Sequence, residues 1–88
     1  MFSFILYICS QSPISIQAEE NLNAMCLAHF PGHYRVEIVD IFQDPQRGWV
    51  DGIIVCPTLV RVSPEPKRIV MGNLSDLSRL LHAVSWNG

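Results

Sequence analysis

Three cysteines are the side chains of this sequence best suited to nucleophilic or redox chemistry: Cys9, Cys26 and Cys56. They are odd in number and far apart along the chain, so their spacing predicts neither a disulfide framework nor a metal-binding knuckle. A thiol enzyme needs a reactive thiolate at a helix N-terminus, where the helix dipole lowers the thiol pKa. Residues 12–15, which open the first predicted helix, read Ser-Pro-Ile-Ser, with serines where a Cys-Pro-x-Cys motif has its sulfurs.

The position of each cysteine decides how far a redox function can be argued. Cys26 lies on the apolar face of the first predicted helix, where we expect it to be part of the core. Cys9 ends the first predicted strand, and Cys56 directly precedes a proline, where we expect a small buried residue. A reactive thiol at Cys9 or Cys56 would instead make the protein a thiol-dependent oxidoreductase or redox sensor, and this function stays open as an alternative.

The histidines and the acidic residues do not form the pattern of a metal site or an acid–base pair. His29, His33 and His82 fall at a helix end, before a strand and on a distant helix, without a carboxylate at ligand spacing. Asp40 matches a strand end, and Asp44 stands where a helix cap is expected. We therefore predict that the protein is not an enzyme and that it binds neither a metal nor a cofactor.

Composition narrows the class of protein further. The 88 residues are 49% hydrophobic and 16% charged, which predicts a single folded domain spanning residues 1–88. The net charge is −2 and the cations are scattered, so a nucleic-acid partner is not expected. No apolar run approaches the roughly 20 residues of a membrane span. Because the odd number and wide spacing of the cysteines suggest no disulfide framework, a reducing compartment fits best, and we predict a cytoplasmic protein without a membrane partner.

The first half of the chain predicts a strand, a helix and a second strand. Residues 2–8 form a short apolar run typical of a strand buried on both faces. Ser15 is a candidate N-cap for the helix that follows, which residues 31–32, Pro-Gly, would end. Residues 34–40 alternate as a strand does. Apolar side chains recur at helical spacing on the predicted helix: Ala18, Leu22, Met25 and Cys26.

The second half predicts a short helix, a hairpin and a final helix. Asp44 and Pro45 open the short helix, which glycines at 48 and 52 are expected to weaken. Two β-rich runs, 58–62 and 67–71, are separated by a Pro-rich loop and predict an antiparallel hairpin. Asn73 or Ser75 is the candidate cap of the final helix. The elements add up to an α/β domain of order βαβαββα with a four-stranded mixed sheet.

This order resembles the thioredoxin-like fold, in which a cis-proline stands before the third strand, at the position of Pro57 here. Four blocks carry a more specific resemblance to the KaiB family of the bacterial circadian clock, and their spacing agrees with that family. They are residues 39–40 (Val-Asp), 44–46 (Asp-Pro-Gln), 56–59 (Cys-Pro-Thr-Leu) and 68–76 (Arg-Ile-Val-Met-Gly-Asn-Leu-Ser-Asp).

The resemblance implies a protein-binding module. KaiB-type proteins bind the ring ATPase KaiC or a KaiC-like relative, on its first ATPase domain, so we expect such a partner and leave other clock or signalling proteins open. KaiB-like domains also form the sensor domain at the start of the kinase SasA, which makes a detached SasA-like sensor domain a further alternative. Because Met1 directly precedes the first strand, we expect a free-standing homologue.

The resemblance also implies a conformational switch in the C-terminal half, between a self-associated state and a thioredoxin-like state that binds the partner. It assigns Gly72, Asp76, Ala83 and Ser85 to the switching region. The family has glycine and aspartate where this chain has Ala83 and Ser85, and alanine is the better helix former by roughly 1 kcal/mol. We therefore expect the thioredoxin-like state to be favoured, with self-association left open.

The predicted docking surface is the short helix from Pro45 to Asp51 and the adjoining hairpin. The family's charged helix is replaced there by residues 47–52, Arg-Gly-Trp-Val-Asp-Gly, so the surface has changed even if the partner class has not. Trp49 is the foremost candidate, since tryptophan is enriched at interface hot spots, with core packing as its competing role. Trp86 is expected to close the core or to contact another subunit. The residues predicted to contact the partner are Gln46, Arg47, Trp49, Val50 and Asp51.

Overall fold

Seven elements follow one another in the predicted order in the computed structural model, which describes residues 1–10 and 12–85. The βαβαββα order and the four-stranded mixed sheet are therefore confirmed. Trp86 lies outside the described residues. The elements are β1 (Phe2–Ile8), α1 (Pro13–His29), β2 (Tyr34–Asp40), α2 (Pro45–Val50), β3 (Thr58–Ser63), β4 (Arg68–Met71) and α3 (Leu77–Ser85).

The strands lie in the order β2, β1, β3, β4. β1 runs parallel to β2 and antiparallel to β3, and β3 pairs antiparallel with β4. A parallel neighbour needs a crossover connection, which α1 supplies. β1 has a neighbour on each side and cover on each face, which explains its continuous apolar run, whereas the edge strand β2 alternates.

Different helices cover the two faces of the sheet. The larger core lies on the face of Phe4 and Leu6, where Leu22 of α1 and Leu80 of α3 pack against them. The opposite face carries a smaller cluster, and α2 lies on that side, where the Tyr7 hydroxyl oxygen is 3.1 Å from the Arg47 carbonyl of α2. The buried members of the smaller cluster are Tyr7, Val39 and Val60.

The helix caps differ from those predicted. Ser12 caps α1, its hydroxyl accepting a hydrogen bond from the Ser15 N–H, because Pro13 occupies the first helical position. The prediction of Ser15 as the cap was wrong: Ser15 is buried inside the first turn, where its Oγ accepts from the Cys9 N–H at 3.3 Å. Asp76 caps α3 by accepting from the Arg79 N–H at 3.1 Å, so the predictions of Asn73 and Ser75 were also wrong.

A buried arginine ties the last helix to the sheet. Arg61 on β3 is fully buried and donates hydrogen bonds of 2.7 Å to the carbonyls of Val84 and Pro66. Burial, and then the charge of Arg68, lower the pKa of Arg61. The guanidinium thus supplies hydrogen-bond donors to one carbonyl at the end of α3 and to one in the β3–β4 loop. None of the helices in the described ranges is long and apolar enough to cross a membrane.

Candidate functional site

The short helix α2 has a buried glycine at its centre. Gly48 is buried, and a Cβ added there would meet side-chain atoms of Ile41 at 3.4 Å and Ile53 at 3.8 Å. An alanine Cβ would therefore make ordinary van der Waals contacts here, so packing does not require a glycine at this position. Gly52, with φ of +69°, then turns the chain away from the helix in a conformation that L side chains rarely adopt.

The outer side of α2 is unusually apolar for a surface. Trp49 is 74% exposed and Val50 is 85% exposed, with Gln46 also exposed on the same helix. Trp49 is thus a surface residue, and the alternative prediction that it packs in the core was wrong. Scattered surface apolar residues are ordinary, but two neighbouring large ones on a six-residue helix form a candidate contact surface.

Arg47 is held by an ion pair beside the helix. Its two terminal nitrogens lie 2.8 Å from the two carboxylate oxygens of Glu37 on the edge strand β2. The hydrogen bonds from Arg47 lower the pKa of Glu37, and those to Glu37 raise the pKa of Arg47. The pair is exposed on the edge of the sheet, so Arg47 both positions α2 and remains reachable for a partner.

Asp51 is turned inward, away from the surface on which the sequence placed it. Its side chain is only 8% exposed, and its two oxygens accept hydrogen bonds from the Tyr7 hydroxyl at 2.5 Å and from Lys67 at 2.9 Å. Burial raises the pKa of Asp51, but the hydrogen bonds from Tyr7 and Lys67 outweigh it and leave that pKa below its ordinary value. Burial and the same bond to Asp51 raise the pKa of Tyr7. Asp51 therefore links the end of α2 to β1 and to Lys67, the residue directly before β4.

A second apolar stretch follows α2, and the sequence reading missed it. Ile54 is 94% exposed, and Val55 borders a groove together with the outward side chains of β4, Ile69 and Met71. The signal was present in the run Ile-Ile-Val at residues 53–55 and in the alternation of β4, where Val70 alone faces the core. The candidate site is therefore the outer side of α2 extended by this loop and hairpin.

Two cysteines meet beside this loop. Cys9, just after β1, and Cys56, just before β3, form a disulfide with their Cα atoms 6.0 Å apart, across 47 residues of sequence. The prediction that the spacing indicates no disulfide was wrong, because strand pairing brings the end of β1 next to the start of β3. Cys56 is also partly exposed, and the expectation that it is buried filler was wrong. Cys26 is buried in the core as predicted, and burial raises its pKa to about 11.

The remaining predicted residues lie at the ends of the last elements. The Cys56–Pro57 peptide bond is cis, and the Pro57 carbonyl accepts from the Gly72 N–H at 3.0 Å. Gly72 has φ of +105°, a conformation that favours glycine, directly after β4. Ala83 is partly buried in α3, and Ser85 is exposed at its end. Among the described residues no cluster of His, Cys, Asp or Glu has the composition of a metal site.

Comparison with known proteins gives one family and one fold. Residues 5–86 match the family model described as KaiB domain. The chain is 37% identical over 76 residues to the circadian clock oscillator protein KaiB of Acaryochloris marina, covering 86% of this chain and 73% of that protein. Relatives of this name from several other organisms match at similar identity.

Solved structures agree on the fold. Mitochondrial thioredoxin 3 of Saccharomyces cerevisiae, in its oxidized form, superposes with a TM-score of 0.77 at 13% identity, covering 96% of this chain and 76% of the thioredoxin. The N-terminal domain of Synechococcus elongatus SasA superposes with a TM-score of 0.69 at 22% identity, covering 99% of this chain and 87% of the SasA domain. The predicted thioredoxin-like fold is thus confirmed.

Proposed function

This chain belongs to the KaiB family, and on that premise we propose that it is a non-enzymatic protein-binding module that regulates a KaiC-like ATPase in a circadian clock or a related signalling system. The observation that carries the proposal is the exposed apolar surface of α2, formed by Trp49 and Val50. Aromatic side chains of this kind supply most of the free energy at protein interfaces when a partner removes them from water.

The predicted contact residues divide into two groups on this surface. Gln46, Trp49 and Val50 face outward and are proposed to touch the partner. Arg47 and Asp51 are proposed to act mainly by positioning α2, since Glu37 holds the first and Tyr7 the second. The apolar loop after α2, with Ile54, extends the proposed docking surface toward the hairpin.

The test is a binding titration of the purified chain with a KaiC-like ring ATPase from the same organism, with and without nucleotide. We expect nucleotide-dependent binding, weakened at least about tenfold by Trp49→Ala, as for a hot-spot tryptophan. Leu27→Ala is the matched control, because Leu27 is an exposed apolar side chain, 67% exposed, on α1 and therefore on the opposite side of the sheet. A folded wild-type chain that does not bind in either nucleotide state would refute the proposal.

A non-enzymatic role is supported by the start of α1. A nucleophilic thiolate of a thioredoxin-like enzyme would stand there, but Ser12 and Ser15 occupy these positions and hydrogen-bond to each other at 2.9 Å. The alternative of an oxidoreductase would have to use Cys9 and Cys56 instead. An oxidoreductase would convert many substrate molecules per protein molecule. The assay measures how many disulfides the purified chain reduces in the presence of excess dithiol, and no more than one per chain would exclude the oxidoreductase.

A SasA-like sensor domain is the second candidate, supported by the structural similarity to the SasA N-terminal domain. It predicts that the native protein continues into a histidine kinase, and the mass of the protein isolated from its own cells decides between the two. For either candidate we propose a cytoplasmic location, where a KaiC-like ATPase would be encountered.

The conformational part of the proposal concerns the C-terminal half. We propose that the thioredoxin-like state is the one that docks, and that Gly72, Asp76, Ala83 and Ser85 lie in the region that would rearrange in a second, self-associated state. The helix-favouring Ala83 supports a balance toward the docking state. Light scattering of the purified chain, alone and with Ala83→Gly, would measure whether self-association competes.

A further inference from the structure

The Cys9–Cys56 disulfide lies beside the loop that belongs to the proposed docking surface. One cysteine lies in the turn between β1 and α1, and the other lies in the loop that carries Ile54 and Val55 from α2 to β3. Both residues are partly exposed, so a small thiol in solution can reach them. Cys26, by contrast, is fully buried in the core and is not accessible to a thiol in solution.

We propose that Cys9 and Cys56 form a reversible thiol–disulfide site that exchanges with low-molecular-weight thiols, and that its closure fixes the loop of residues 52–57 for docking. The part of this inference that concerns docking rests on the proposed function. The part that concerns thiol exchange and loop order does not depend on any partner.

Apart from the disulfide, the hydrogen bonds described for this loop lie mainly at its two ends, and one of them joins the Gly72 N–H to the Pro57 carbonyl at 3.0 Å. The beginning of the loop is fixed by a hydrogen bond of 2.8 Å from the Ile53 N–H to the Gly48 carbonyl, and its end by the strand β3. Between them, Val55 is contacted by the Thr58 hydroxyl, which donates to its carbonyl at 2.6 Å, while Ile54 is almost wholly exposed. The disulfide links Cys56, two residues before β3, to Cys9 in the turn after β1. We expect its opening to loosen the segment that borders the apolar groove.

The position of Cys9 favours exchange chemistry. Its backbone N–H donates to Ser15 Oγ in the first turn of α1, which places Cys9 beside the positive end of a 17-residue helix. Such a position stabilises a departing thiolate, and a more stable thiolate leaves faster in thiol–disulfide exchange. Attack is therefore expected on the Cys56 sulfur, with Cys9 as the leaving group.

With glutathione as the exchanging thiol, the opening steps are balanced. A glutathione thiolate attacks the Cys56 sulfur, a new S–S bond forms, and the Cys9–Cys56 bond breaks with its electron pair on Cys9. A second glutathione thiolate attacks the glutathione sulfur of this mixed disulfide and releases the Cys56 thiolate and glutathione disulfide. The chain gains two electrons and two protons, and two glutathione molecules are oxidised to one disulfide. Closure by glutathione disulfide is the reverse.

The first experiment equilibrates the full chain in glutathione buffers from fully reduced to fully oxidised and then alkylates it under native conditions. Mass spectrometry is expected to show Cys9 and Cys56 gaining or losing protection together, with Cys26 unmodified throughout. Cys9→Ser and Cys56→Ser are matched controls, each expected to carry one glutathione adduct on the remaining cysteine. A wild-type chain that accumulates glutathione adducts instead of the internal disulfide, or that does not respond to the buffers, would overturn the proposal.

The second experiment measures amide hydrogen exchange in residues 52–57 and partner affinity for the oxidised and the reduced chain. Reduction is expected to speed exchange in this loop and to weaken binding of the KaiC-like ATPase at least about fivefold, with no redox effect in the Cys9→Ser/Cys56→Ser double variant. Unchanged loop exchange would refute the control of loop order, and equal affinity in both states would refute the control of docking. Absence of binding in both states, with loop exchange still redox-dependent, refutes the proposed docking function alone.

Discussion

Replacing Asp51 by alanine should destabilise the fold, because this carboxylate fastens α2 to the sheet. Its hydrogen bond from the Tyr7 hydroxyl is partly buried and charge-assisted, and bonds to charged groups contribute about 1.5–3 kcal/mol. Its partner Lys67 is half exposed, so that ion pair adds only about 0–1 kcal/mol. We expect Asp51→Ala to lower the free energy of unfolding by about 2–3 kcal/mol, a large part of the stability of a small domain.

The assay is urea denaturation followed by circular dichroism, for the wild type and for Asp51→Ala, Tyr7→Phe and the double variant. Urea is uncharged and leaves the ion pairs unscreened. With an m value of about 1 kcal/mol/M for a domain of this size, the midpoint should fall by about 2–3 M. The double variant should lose less than the sum of the single variants, because both remove the same bond. Additive losses, or a loss in Asp51→Ala under about 0.5 kcal/mol, would refute the assigned role, since substitutions at ordinary surface sites stay within that range.

The same carboxylate predicts a pH dependence. The pKa of Asp51 is lower in the folded chain than its ordinary value of about 3.9, so its ionised form stabilises the fold above about pH 4. This contribution is lost as the pH falls below that value through the folded pKa. Asp51→Asn should therefore be less stable than the wild type at neutral pH, with the difference shrinking in acid. A difference that grows as the pH falls would contradict the direction of the shift.

Two further substitutions test local backbone features. Ala83→Gly in α3 should lower the thermal midpoint by about 4–8 °C, as expected for a loss of about 1 kcal/mol of helix propensity, and an unchanged midpoint in a thermal scan would contradict a helical contribution of Ala83. Ser10→Gly should raise the stability by about 0.5–1 kcal/mol, because Ser10 has φ of +52° in the turn before α1; a lower urea midpoint would argue against strain at this position.

The periodic parts of the fold were predictable, and the reason is local. The apolar run of β1, the helical spacing on α1 and the alternation of β2 each reflect burial that repeats along the element. The caps were less predictable because serine and asparagine residues compete within a few positions. At α1 the choice between Ser12 and Ser15 depends on Pro13, whose missing N–H is tolerated at the first helical position.

The features that sequence reasoning missed depend on contacts between distant segments. Cys9 and Cys56 meet only because β1 and β3 pair antiparallel, a neighbour relation that the spacing of two cysteines does not encode. Asp51 was assigned to the docking surface because it follows Trp49 and Val50 in sequence. Its inward direction depends on Tyr7, which projects from β1 toward the face where α2 lies.

The division between positioning and contact residues on α2 decides how docking can be tested. Arg47 and Asp51 hold the helix through Glu37 and Tyr7, so their removal changes the place of the helix as well as its surface. A loss of binding in an Arg47 or Asp51 variant would therefore follow whether or not these side chains touch the partner. The side chains of Trp49 and Val50 are exposed and take no part in these contacts. Substitutions at these two positions remove contact area with the least disturbance of the helix, and they are the ones that measure the docking surface itself.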